Sequence, residues 1–162
     1  MDLLPSRVEH LLRSIKESAP GDFTGIGLVF YAAPMRLPCC ALGDPALFEP
    51  GLPVAGDGSR LAQVLAGMSR RASRWHDGFH LIEAGSFQLT HVCQFVAPPL
   101  DLLPQPTAGQ EPVGARWQSA VAMSRLPGVA LTALISSRGE PFIFEDGHER
   151  QLAEPDADGQ GI

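Results

Sequence analysis

Two short segments of this chain carry residue types that handle phosphates. In Trp75-His76-Asp77-Gly78 an imidazole stands beside a carboxylate, and the glycine that follows allows close backbone approach. A histidine nitrogen and an aspartate oxygen together suit Mn2+, Co2+ or Mg2+ bridging a triphosphate, with His76 and Asp77 as ligands. In Gly114-Ala115-Arg116 an arginine follows a glycine where a helix is expected to begin. A helix start offers free N–H groups and a partial positive charge to an anion, and Arg116 adds a planar fork of donors. Each segment also has an ordinary reading: Asp77-Gly78 as a turn after a helix, and Arg116 as a solvated side chain beside a glycine turn. For the two to act together they must converge on one hollow.

The elements that would position them follow from apolar spacing. Val8, Leu11, Leu12 and Ile15 fall at helical intervals over Ser6–Ser18, with Ser6 and Glu9 in the relation of a capping box. Thr24–Ala32 is apolar without a helical period and reads as a buried strand. The proline- and glycine-dense stretch 34–58 is expected to be irregular, with short strand pieces at most near Cys39–Leu42. Leu61, Val64, Leu65 and Met68 make the stripe of a second helix over Ser59–Ser73. His80–Ala84 and Phe87–Val96 read as a hairpin turning at Gly85-Ser86. Five prolines between Ala97 and Val113 exclude regular structure there, and the third helix runs from Gly114 to Ser124. Val129–Ser136 and Phe142–Glu145 read as strands joined through Arg138-Gly139-Glu140. The sum is one α/β domain, a central mixed β-sheet of five or more strands flanked by helices, over 1–152, with a disordered tail at 153–162.

Composition narrows the function. With 162 residues and 44% hydrophobic content the chain can bury a core of its own. Twelve basic against 18 acidic residues give a net charge of −6, which argues against a nucleic-acid duplex as partner but not against a small anionic ligand. Cys39, Cys40 and Cys93 lack zinc-site spacing and are expected to be reduced and buried. No basic-then-apolar leader and no run of about 20 apolar residues is present, so a cytoplasmic protein without a membrane span is expected. His80 and His91 are expected inside strands, and His148 in a solvated turn. Arg70, Arg71 and Arg74 could draw in a phosphate tail, although a solvated helix face accounts for them as well.

The order helix, His-Asp-Gly, hairpin, proline-rich loop, Gly-x-Arg at a helix start, then two strands resembles the diadenylate cyclase domain, from about Asp22 to about Arg150. That family carries an Asp-Gly-Ala motif, often preceded by His, and a Gly-Thr-Arg-His-Arg motif at a helix start. Here they stand as His76-Asp77-Gly78-Phe79 and Gly114-Ala115-Arg116-Trp117-Gln118. Phe87–Pro98 and Ser119–Ser124 are similar to the family's Ala-Cys-Tyr-Leu-Pro strand and Ala-Ala-x-Gly-hydrophobic-Ser helix. The resemblance implies catalytic roles for Asp77 and Arg116. It implies nucleotide contacts from Gly78, Phe79, Gly114, Ala115, Arg116, Trp117, Gln118 and Ser136, with a divalent cation (Mn2+, Co2+ or Mg2+) on His76 and Asp77.

Four departures fall at this one site. Phe79 replaces a small alanine, Trp117 and Gln118 replace a His-Arg donor pair, and Ser136-Ser137-Arg138 stands for an acidic Ser-Glu-Glu. In a site that works by positioning and charge stabilisation, loss of one donor typically costs about 3 kcal/mol. The expectation is therefore a sensor or regulatory module that binds an adenine nucleotide or cyclic dinucleotide without efficient catalysis. An active cyclase making cyclic di-AMP from two ATP would require a head-to-head homo-oligomer. A structural or interaction domain whose aromatic residues fill the old pocket is the third reading.

Overall fold

The computed structural model describes residues 3–56 and 59–153. Three helices and seven strands follow in the order α1 (Leu4–Ser18), β1 (Ile26–Tyr31), β2 (Cys39–Ala41), α2 (Arg60–Met68), β3 (Phe79–Glu83), β4 (Gln88–Val96), α3 (Ala115–Met123), β5 (Val129–Ile135), β6 (Pro141–Glu145) and β7 (His148–Arg150). The strands form one sheet ordered β2-β4-β3-β1-β5-β6-β7. Only β1 and β3 run parallel among these pairs, so the sheet is mixed and the domain is α/β.

The central strand explains the layering. All six residues of β1 are buried, which is why its sequence shows no polar alternation. Ile26, Leu28 and Phe30 pack on one face with the stripes of α1 and α2, including Val8, Leu12, Leu61 and Leu65. Val29 and Tyr31 point to the other face, where Val121 and Met123 of α3 meet Leu134 and Phe144. Beyond α3, Met35, Leu37 and Cys39 pack on the second face near β3 and β4.

Several boundaries differ from those the sequence suggests. Helix α1 begins at Leu4 rather than Ser6, with Pro5 in its first turn and no side-chain cap. Proline's fixed φ and missing N–H suit that position. Glu9 is thereby released from a capping box and accepts from the Ala153 N–H at 3.3 Å. Ala153 is thus placed against α1, while the rest of the expected disordered tail, 154–162, lies outside the described residues. Ser59 makes no side-chain cap, and α2 stops at Met68 instead of Ser73. There Ser69 Oγ turns back to donate to Leu65 O, and Ser69 O accepts from both the N–H and the hydroxyl of Thr24. The chain then bridges Phe23 and Arg70 and cannot continue as helix.

The β3–β4 hairpin forms, with a turn of four residues, Ala84–Phe87, in place of two. The Glu83 carboxylate accepts from the N–H groups of Gly85 and Ser86, and Phe87 adopts φ 58°. Strand β7 was not expected, and His148 lies in it, exposed, rather than in a turn. The turn that creates it is Asp146-Gly147, with φ of 47° and 79°. Asp-Gly is a strong hairpin signal in sequence, so this strand was readable. The cysteines are free as expected, but only Cys93 is buried; Cys39 is half-buried and Cys40 exposed.

Candidate functional site

Arg116 joins the two chemical segments. It lies in the first turn of α3, which starts at Gly114 with the Gln118 N–H bonded to the Gly114 carbonyl. Strand order β3-β1-β5 sets this helix start and the end of the α2–β3 connection at the same end of the sheet. From there one Arg116 nitrogen donates to the His76 carbonyl oxygen at 3.4 Å. Burial draws Arg116 below the usual arginine range, and the Asp77 carboxylate opposes that shift.

The path of that side chain runs against Gly25, a residue outside both motifs. Its φ is +88°, and a Cβ there would lie 2.8 Å from Ile135 O and 3.2 Å from an Arg116 terminal nitrogen. An isolated glycine opening a buried strand marks close approach of another group, and that signal was available. His80 was also read only as a strand residue. It is wholly buried, its Nδ1 accepts the Cys93 N–H at 3.0 Å, and its pKa is pulled to about 3 by burial and then by Arg116. The imidazole is therefore neutral, with its remaining proton on Nε2.

The two segments meet, yet they open on two hollows rather than one. Arg116, Trp117 and Gly114 line a hollow of about 680 Å3 together with Thr24, Ser136 and Phe142. Asp77 lines a second, of about 420 Å3, with Asp44, Arg74, Trp75 and Cys93. Arg116 and Asp77 thus line separate hollows instead of the single one expected from sequence, and Arg116 reaches the carbonyl of His76. Arg70 pairs with Asp22 at 3.2 Å, so of the basic cluster only Arg74 lines either hollow.

The remaining site residues are placed as follows. Asp77 is exposed, with Oδ1 accepting the Gly78 N–H at 2.8 Å, and His76 is half-buried. Gly78 has φ +72° and holds its place against Gln94 O, which a Cβ would meet at 2.5 Å. Phe79 is 4% exposed, and its ring lies over Gly27, where a Cβ would come within 2.7 Å of it. It fills the second-face core. Trp117 packs edge-on against Phe144 at 5.3 Å. Gln118 has a buried Oε1 without a hydrogen-bond partner, and Ala115 is exposed. Ser136 Oγ accepts from the N–H groups of Arg138 and Glu140, capping the β5–β6 turn.

A metal ion has only a partial protein shell here. Among the described residues no group of three or more His, Cys, Asp or Glu could hold one. Of the two expected ligands only the Asp77 carboxylate is a hard-cation donor, and its Oδ1 already accepts the Gly78 N–H.

An α/β domain with a seven-stranded mixed sheet and an arginine-bearing helix start at one sheet end is the class these observations define. No protein-family model matches the chain, and no curated protein matches its sequence. Among the solved structures that resemble it are two that match over nearly its whole length. One is a hypothetical membrane spanning protein from Bacillus cereus, with 15% identity and a TM-score of 0.62 over 93% of this chain and 63% of that one. The chain therefore spans less than two thirds of that protein. The other is DacA from Staphylococcus aureus, in a double-mutant form, with 16% identity and a TM-score of 0.57 over 90% of this chain and 85% of that one. The second likeness shows a DacA-like fold, and the fold alone. Among the described residues no helix is long and apolar enough to cross a membrane.

Proposed function

We propose that this domain binds an adenine nucleotide or cyclic dinucleotide beside Arg116 and acts as a sensor or regulatory module rather than an efficient cyclase. The observation that carries the reading is Arg116 itself, a part-buried cation that donates to the His76 carbonyl at 3.4 Å and lines a hollow with Ser136 and the start of α3. A guanidinium presents a planar fork of donors that matches phosphate geometry. Asp77 faces the neighbouring hollow, so a divalent cation on a triphosphate beside Arg116 would be held by phosphate oxygens and water.

Weak catalysis follows from what has become of the neighbouring donors. Trp117 is committed to Phe144, and Gln118 presents no cation. Cyclisation needs the 3′-oxygen of each ATP aligned on the α-phosphorus of the other, with charge on the equatorial oxygens stabilised. Binding needs only the first of those conditions in part.

Isothermal titration with ATP, a non-hydrolysable analogue and cyclic di-AMP, each with Mn2+, tests the binding. Saturable binding that Arg116→Gln weakens by about tenfold or more is the expected result, since charged hydrogen bonds contribute about 1.5–3 kcal/mol. Binding that is unchanged in that variant, or absent from the folded wild-type protein, overturns the reading. Chromatographic detection of cyclic di-AMP in molar excess over protein would overturn the non-catalytic part alone.

A further inference from the structure

We infer that the hollow beside Arg116 contains a seat for a planar ring, the corner between Trp117 and Phe142, so that its preferred ligand is a nucleotide whose base lies in that corner while its phosphate meets Arg116. The inference rests on the nucleotide reading above and adds where the base goes and which residues select it.

A single buried ring sets the corner. Phe144 is 1% exposed; Trp117 stands edge-on to it at 86° and 5.3 Å, while Phe142 lies parallel at 7° and 6.4 Å. The planes of Trp117 and Phe142 are therefore close to perpendicular. Both are only half-buried and both line the 680 Å3 hollow. A flat ring entering there can stack on one aromatic face and meet the other edge-on, the two arrangements that aromatic quadrupoles favour. The volume lies within the usual range for small-molecule pockets, about 300–1,000 Å3.

Charge places the phosphate in the same hollow. Arg116 and Arg138 line the hollow against one carboxylate, Glu140. The neighbouring hollow has its own indole, Trp75, but sets Asp44 and Asp77 against Arg74 alone. An anion is disfavoured there. Phe79 is closed to any base, since its ring is already covered over Gly27.

The test compares AMP, ribose 5-phosphate and adenosine by titration, none of which needs a metal ion. AMP is expected to bind about tenfold or more tightly than ribose 5-phosphate, the scale of base stacking on an aromatic side chain. Trp117→Leu and Phe142→Leu should each reduce AMP affinity by about fivefold or more and leave ribose 5-phosphate within about twofold. A second measurement avoids disturbing the corner. The chain has two tryptophans, so Trp75→Phe leaves Trp117 as the sole tryptophan, whose emission under tryptophan-selective excitation AMP should quench and ribose 5-phosphate should not. Equal affinity for AMP and ribose 5-phosphate, or AMP binding without quenching, overturns the seat while leaving the phosphate site standing. Failure of AMP, ATP and cyclic di-AMP alike to bind the folded protein overturns both proposals.

Discussion

His80 is wholly buried beside Arg116, with its Nδ1 accepting from Cys93, and this gives the domain a defined response to acid. Its folded pKa of about 3 lies below the ordinary 6.5. Above pH 6.5 both folded and unfolded states hold it neutral, and its contribution to stability is complete. Between pH 6.5 and 3 only the unfolded chain takes up the proton, so stability falls as pH falls, by about 2 kcal/mol at pH 5. Urea unfolding at pH 7.5 and pH 5.0 should show this loss in the wild type. In His80→Asn, which keeps an acceptor for the Cys93 N–H, the pH dependence should shrink by about that amount whatever the variant's absolute stability. An unchanged dependence would mean that His80 charges in the fold. Of this residue's role the sequence disclosed only its place in a strand, since the burial that lowers its pKa and the Arg116 charge beside it arise from the packing of β3 against other elements.

At the scale of elements, the α2–β3 connection is the most constrained part of the site. Gly78 combines φ +72° with a distance of 2.5 Å from its would-be Cβ to Gln94 O, a backbone atom that cannot swing aside. Gly78→Ala is therefore expected to cost about 2–4 kcal/mol, the strain of an L-residue at positive φ plus displacement of β4. Thermal unfolding measures it; a loss below about 1 kcal/mol would show that the connection yields. By contrast Gly114, with φ −65° and nothing within 4 Å of a Cβ, is expected to tolerate alanine in the same assay. Two glycines singled out by similar motifs thus have different physical roles. The sequence shows where they stand, but not which one has a neighbouring strand against it. The elements themselves were readable where one pattern governed the whole segment, as in β1 and the β3–β4 hairpin. They were misjudged where a distant partner intervened: Thr24 ends α2 by donating to the Ser69 carbonyl from both its N–H and its hydroxyl, and no local preference within 59–73 announces that.

For the whole molecule, ligand binding and folding are linked by mass action. A ligand at 100 times its dissociation constant adds about 2.7 kcal/mol to stability, which for a two-state domain of this size raises Tm by roughly 5–10 °C. Differential scanning fluorimetry with ATP or cyclic di-AMP should show that rise in the wild type and lose most of it in Arg116→Gln. No rise at saturating ligand would count against a folded-state site. The layers that transmit this linkage are simple, with α1 and α2 on one face of the sheet, α3 on the other, and β1 buried between them. Apolar spacing and the placement of proline and glycine were enough to determine an α/β domain and its three helices, because burial periodicity is written locally along each element. Tertiary structure alone decided that Arg116 reaches His76 and that Asp77 faces a separate hollow. It also decided that Phe144 holds Trp117 and Phe142 at right angles. Those relations depend on sheet order and on contacts between residues far apart in the chain, which no local pattern encodes.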